Sequence, residues 1–468
     1  MKAAVASLAL LAFTAPCVAL DVAAFDEQQQ QILAKIEEIQ ARDGQYSPAL
    51  VDELERLIQI FRENEDHARA LVVIERALQV VRANSGLYSL DQVPLLRQRL
   101  ESEEAIGDDT AVWDHEQELL TLARRHPDDP EAVPVLRDMA DRQMDDVGRY
   151  LDFTETPSRV TQGCYYQEWP TAGEGNCRSG SRTTVVQGMV ADADRNYADA
   201  IAVLLRNEAY SSDELHALEM DLVRGAELVR DQYGRDGKAG SGTNPGKEDV
   251  PVPLVPWTSM AELREPWRSR MEPIMALADW QLPYESDGTP EHDFLQENEP
   301  RDTRFRAPYY RGRQSLRRLY AYEVAASSPA LARATAIVQI ADWDLLFSSN
   351  GLASDGYALA LHMLEDARVD AAAIAQLFAP DLPVVLPSFE PSPLAHDETS
   401  AATGHIDVEF AITKYGHARD IEIRDAANAT EAAQDDLVFL LKSSRFRPRL
   451  TQGRFVDSSP ILVRYYLN

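Results

Sequence analysis

Two hydrophobic periods divide the chain. From Phe25 to about Phe378, apolar residues recur at spacings of three and four, the pattern of helices that bury one face. Leu54, Leu57, Ile58 and Phe61 form one stripe, and after a polar turn at Glu63-Asn64-Glu65-Asp66 a second follows at Ala70, Ile74 and Ala77. Two antiparallel helices are predicted there. The segment opening the first, Tyr46-Ser47-Pro48-Ala49-Leu50, returns as Tyr88-Ser89-Leu90-Asp91 and as Tyr210-Ser211-Ser212-Asp213, each ahead of another helical run. A lone hairpin cannot bury both faces, so units recurring in this way are expected to stack.

Beyond Gly404 the period drops to two. Ile406, Val408, Phe410 and Ile412 alternate, Tyr415-Gly416 makes a turn, and Ile421 and Ile423 alternate again, which predicts a β-hairpin. Asn428 with Glu431 offers a helix cap, and Ala433, Leu437, Leu440 and Leu441 line one face of the helix that follows. Ile461, Val463, Tyr465 and Leu467 share one face of a last strand. The predicted order is β-β-α-β, with room for a short strand around Arg449 to Phe455.

The spacing of the helical stripes resembles the tetratricopeptide repeat (TPR). Its fullest copy is Ile337, Ile340 and Ala341, then Ala353, Tyr357 and Ala360 with Gly351 in the turn; Ala193, Tyr197 and Ala200 match the second helix of another unit. The resemblance implies a mainly α, TPR-like helical-hairpin solenoid over residues 20–379, with insertions at about 155–181, 234–257 and 284–306. A Pro-rich stretch, 380–403, reads as a linker. Past it, Gly404, then Phe410-Ala411-Ile412-Thr413-Lys414-Tyr415-Gly416, then Phe446-Arg447-Pro448 and Gly453 closely resemble the C-terminal domain of the TonB energy transducers. That resemblance implies a small α+β domain over 404–468. In that family the domain lies in the periplasm and takes up a partner segment as an added strand at a sheet edge. The edge expected here is Pro460, Ile461, Leu462, Val463, Arg464, Tyr465 and Tyr466, because it comes after every other element and opens on a proline.

The ends of the chain differ in character. Met1-Lys2, an apolar stretch from Ala3 to Pro16 and Cys17-Val18-Ala19 have the layout of a cleavable signal peptide, 1–19, with the cut after Ala19. Pro16 disfavours a lipid anchor on Cys17. No apolar run past this point reaches the length of a membrane span, and only six of the 46 basic residues are Lys, a bias that points to a bacterial, periplasmic protein. Cys164 and Cys177 then remain. In an oxidising compartment such a pair bridges more readily than it binds metal, since CxxC spacing and nearby His are both absent.

Charge narrows the partners. Asp and Glu number 77 against 46 Lys and Arg, a net charge of -31, which argues against nucleic acid. From Gly404 onward acidic and basic residues balance, so the excess lies upstream. Candidate chemistry fails on inspection. Ser241 replaces the first glycine of a phosphate loop in Gly240 to Lys247, and Glu248 replaces its Ser/Thr. Asp192, Asp194 and Asn196 imitate the start of a calcium loop, but Tyr197 stands where glycine is needed. His405 and His417 straddle the hairpin and could meet, without a third ligand in view. No catalytic set, cofactor or metal is expected. The functional expectation is a periplasmic protein-protein interaction scaffold of the cell envelope, with homodimerisation through the C-terminal domain open. An envelope-acting enzyme and a TonB-type transducer that keeps its N-terminal anchor are the alternatives.

Overall fold

The computed structural model describes residues 17–152, 182–207, 212–239, 306–378, 383–387, 404–451 and 454–467. The N-terminal residues 1–16, Cys164 and Cys177, the glycine-rich 240–247 and Gly453 lie outside them. The described chain is mainly helical with a small C-terminal sheet region. It forms two compact units that divide between Val135 and Leu136. No helix among the described residues is long and apolar enough to cross a membrane.

The first unit holds α1 (Cys17–Asp43), α2 (Leu50–Glu63), α3 (His67–Ser85), α4 (Val93–Ile106) and α5 (Asp109–Arg124). Helix α1 runs without a break past the expected cleavage point after Ala19. The predicted stripes are the buried ones: Leu54, Leu57, Ile58 and Phe61 of α2 pack with Ala70, Ile74 and Ala77 of α3. Local devices recur 42 positions apart. Asp66 caps α3 by accepting from the Arg69 amide, and Asp108 caps α5 by accepting from the Ala111 amide, both at 3.1 Å. Asn84, at the end of α3, donates to the Tyr46 carbonyl, and His126, just past α5, lies against the Tyr88 carbonyl. Each of these bonds spans 38 residues and ties the end of one hairpin to the turn that opened it. Tyr88 also carries the Arg125 guanidinium over its ring, 3.7 Å from the centroid.

The second unit contains α6 (Val133–Leu151) from Leu136 onward, α7 (Arg182–Arg206), α8 (Ser212–Ala239), α9 (Arg306–Ala325), α10 (Ala330–Leu346), α11 (Asn350–Asp366) and α12 (Ala371–Phe378). From α7 to α11, leaving the undescribed stretches aside, each helix packs on the next. Helix α10 is covered on all sides: Ile337, Val338, Ile340, Ala341, Trp343 and Leu345 are fully buried, and so are Asp342 and Asp344. A helix apolar all round belongs at the centre of a unit, and any acid on it needs a partner. For Asp344 the partners are Arg313 and Tyr309 of α9, at 2.9 and 2.7 Å. Trp343 donates from Nε1 to the Tyr309 carbonyl, and its ring lies against Gly312, where a Cβ would stand 2.1 Å from Cζ2. Only a glycine lets α9 approach that closely.

The sheet belongs to the same unit. Three antiparallel strands run in the order β3 (Ala418–Ala427), β2 (Gly404–Ile412), β7 (Ile461–Leu467). Ile406, Val408 and Phe410 of β2 and Val463 of β7 face a core closed by Leu441 of α13 (Glu431–Ser443) and by Phe446. The cap of α13 is Thr430, which accepts from the Ala433 amide, rather than the expected Asn428. Asn428 instead takes a left-handed conformation, φ 57°, and turns the chain out of β3. Four short strands accompany this sheet: β1 (Val385–Leu386) with β4 (Arg445–Phe446), and β5 (Arg449–Thr451) with β6 (Arg454–Val456). β1 falls inside the stretch read as a linker, so this part of it is paired chain.

Candidate functional site

Among the described residues, strand β7 lies at an edge of the sheet. Its inner side pairs with β2 from Phe410↔Ile461 to Gly404↔Leu467, and its outer side meets no strand among the described residues. The start of the strand is fixed by Ser458, whose hydroxyl accepts from the Ile412 amide and whose own amide donates to the Ile412 carbonyl, both at 2.8 Å. Pro460 is exposed just ahead of the first pair. Alternation then sorts the residues: Val463 and Tyr465 are buried, while Leu462 and Tyr466 are 59% and 38% exposed. Arg464 lies on the exposed face, where Nε and Nη2 donate to the two carboxylate oxygens of Asp407 on β2, each at 2.7 Å. That bidentate pair keeps the Asp407 carboxyl below its usual range.

Two of the residues carrying the transducer resemblance, Gly416 and Arg447, meet the helices, while Phe446 between them packs into the sheet core. Gly416 sits in the β2–β3 turn at φ 77°, and its carbonyl accepts from the Phe446 amide at 2.9 Å. A Cβ there would stand 2.4 Å from the Phe446 carbonyl oxygen and 3.3 Å from Leu345 of α10. Phe446 is fully buried, with its ring 5.6 Å from that of Phe410. Arg447 turns the other way. Its Nε and Nη2 donate to Asp342 of α10, its Nη1 donates to the Leu377 carbonyl at 3.1 Å, and its amide donates to the Val384 carbonyl. The Tyr357 hydroxyl of α11 donates to the same carboxylate. Burial opposes the charge on Arg447, but Asp342 outweighs it and holds the guanidinium above its ordinary value. The same burial, with Asp342 beside it, pushes the Tyr357 phenol well up. Pro448 is buried, Leu450 joins the helical core, and Phe455 packs edge-on against Tyr357 at 5.2 Å.

Sequence reasoning placed Tyr357 in a repeat signature and gave Asp342 no role. The signal available was two acids, Asp342 and Asp344, inside one of the most apolar helices of the chain. Such acids imply a buried cation but do not say where in the chain it comes from.

The other candidates resolve one by one. His405 and His417 sit at opposite ends of β2 and its turn and do not meet. His405 instead lies 3.3 Å from Asp425, and with Asp407 these three offer ligand atoms within 4.8 Å of one another. Arg464 already takes both oxygens of Asp407. Asp194 and Asn196 lie on α7 as side-chain partners, Asp194 with Arg311 at 2.8 Å and Asn196 with Gln143 at 2.9 Å. In the first unit, a depression of about 510 Å³ on α2 and α4 is lined by Asp52, Glu55, Arg56, Gln59, Arg62 and Gln98. Partial burial and Asp52 raise the carboxyl of Glu55 there. No family model, no curated protein and no solved structure matches this chain.

Proposed function

We propose that the chain is a binding protein of the bacterial cell envelope, exported to the periplasm. In this reading TPR-like hairpins engage one protein or peptide, and the TonB-like sheet takes up a second as an added strand. The observation that carries it is that the outer side of β7 meets no strand among the described residues, with Leu462 and Tyr466 exposed along it. An unpaired strand edge is a template for another chain, because backbone groups supply the affinity and alternate side chains the selectivity. The polar depression on α2 and α4 supports the first half of the proposal more weakly.

A second reading, in which the C-terminal segment only stabilises its own unit, draws on the Arg447 bond to Asp342. One experiment separates the two. A photo-crosslinking residue at Tyr466 of the full chain, expressed in an envelope-bearing bacterium, should give a discrete adduct. Leu462→Pro should remove that adduct while the protein still melts cooperatively, and Leu462→Ala should weaken it only modestly. An adduct that persists in the folded proline variant, or none in the parent, would favour the stabilising role.

A further inference from the structure

Arg445 is a partly buried cation whose charge meets no carboxylate among the described residues. Its guanidinium is partly exposed and makes only neutral contacts. Nη1 donates to the Tyr415 carbonyl at 2.9 Å and abuts Nε2 of His417, and Nη2 donates to the Ser348 hydroxyl at 2.9 Å. A second cation lies close by. Arg230 of α8 stands over the ring of Phe347, next to Ser348, 5.6 Å from the centroid, and its ion-pair partner there is its own neighbour, Asp231. Partial burial, and then Arg230, depress the guanidinium of Arg445 below its ordinary value. Burial and Arg445 do the same to His417. Like charges gathered out of water oppose one another unless an anion joins them.

The donors left over have a defined chemistry. A guanidinium carries five N–H groups in a planar fork, and Nε with the second Nη2 proton of Arg445 remains for an acceptor with two oxygens. Ser348 accepts from Arg445, so its own proton is free to point outward, and Ser348 is held at the turn after α10 with φ 63°. His417 meets Arg445 with an unprotonated Nε2, which leaves its proton on Nδ1. We infer that the turns at Ser348 and at Tyr415 to His417 bind a small oxyanion, a carboxylate or a phosphate, held bidentately by Arg445 with Arg230 and Ser348 as its further donors.

The test uses the full chain at constant ionic strength. Inorganic phosphate and succinate are titrated separately by calorimetry, with thermal melts alongside. One of them should bind, and the tighter of the two identifies the ligand as phosphate or carboxylate. Arg445→Gln should weaken binding about tenfold or more, the usual scale for loss of a charge-assisted fork. Arg230→Gln and Ser348→Ala should each weaken it several-fold, and they decide the matter if Arg445→Gln fails to melt cooperatively. Arg424→Gln, which removes an arginine already paired to Glu409 and Glu422, should leave it unchanged. Absence of binding at millimolar concentrations of both anions, or equal loss in Arg424→Gln, overturns the assignment.

Discussion

Arg447 reaches back 105 residues to place its guanidinium on the carboxylate of Asp342, which is fully buried in α10. The strongest motif of the C-terminal segment is therefore spent inside the molecule. What stays exposed is the far edge of the sheet, at Leu462 and Tyr466. Anchor and edge thus fall to different residues.

Breaking the anchor should be costly. Arg447→Met alone leaves the buried Asp342 without the guanidinium that neutralises it, and should destabilise the second unit by about 3–5 kcal/mol. Pairing it with Asp342→Leu should recover much of that loss, since removing both charges also removes the uncompensated one. Urea denaturation of the two single variants and the double variant measures the coupling; strictly additive losses would count against a direct pair.

Three glycines should respond in three ways to alanine. Gly416→Ala combines a left-handed backbone with a Cβ driven against the Phe446 carbonyl, and should cost about 1–3 kcal/mol. Gly312→Ala forces α9 away from the Trp343 ring and should cost up to roughly 3 kcal/mol, with a change in tryptophan fluorescence. Gly351→Ala meets nothing within 4 Å in the first turn of α11 and should stabilise by about 0.4–1 kcal/mol. Thermal melts rank the three.

Asp194 should leave a mark on the pH dependence. Burial, only partly offset by Arg311, pushes its carboxyl up to about 6 from an ordinary 3.8. Between those values the folded chain holds a proton that the unfolded chain has released, so this group's contribution falls as pH rises through that window. The stability of the parent minus that of Asp194→Asn should therefore drop by roughly 1–3 kcal/mol from pH 4 to pH 7. A difference that is flat or rises with pH contradicts the burial argument.

The aspartate caps of α3 and α5 should behave alike. Asp66→Ala and Asp108→Ala each remove the acceptor for an amide in the first turn of a helix, and each should lower stability by about 1 kcal/mol. Helix content followed during denaturation checks it, and a cap that proves silent would mean its turn is satisfied by water.

Much of the architecture was legible because burial of one face writes a local period. The spacing of Leu54, Leu57, Ile58 and Phe61 can serve only a helix, and the alternation of Ile406, Val408, Phe410 and Ile412 only a strand with one side covered. Both are physical consequences of residues a few positions apart. That β7 comes last and opens on a proline likewise made an edge the natural expectation. Which strand it joins was decided by tertiary structure, through its pairing with β2. So was the partner of each buried charge. With 77 acidic residues in the chain, no local pattern says that Arg447 belongs to Asp342, Arg313 to Asp344 or Arg318 to Glu219. Those choices depend on which helices pack side by side, since a desolvated charge is tolerated only where the packing brings its opposite within hydrogen-bond reach.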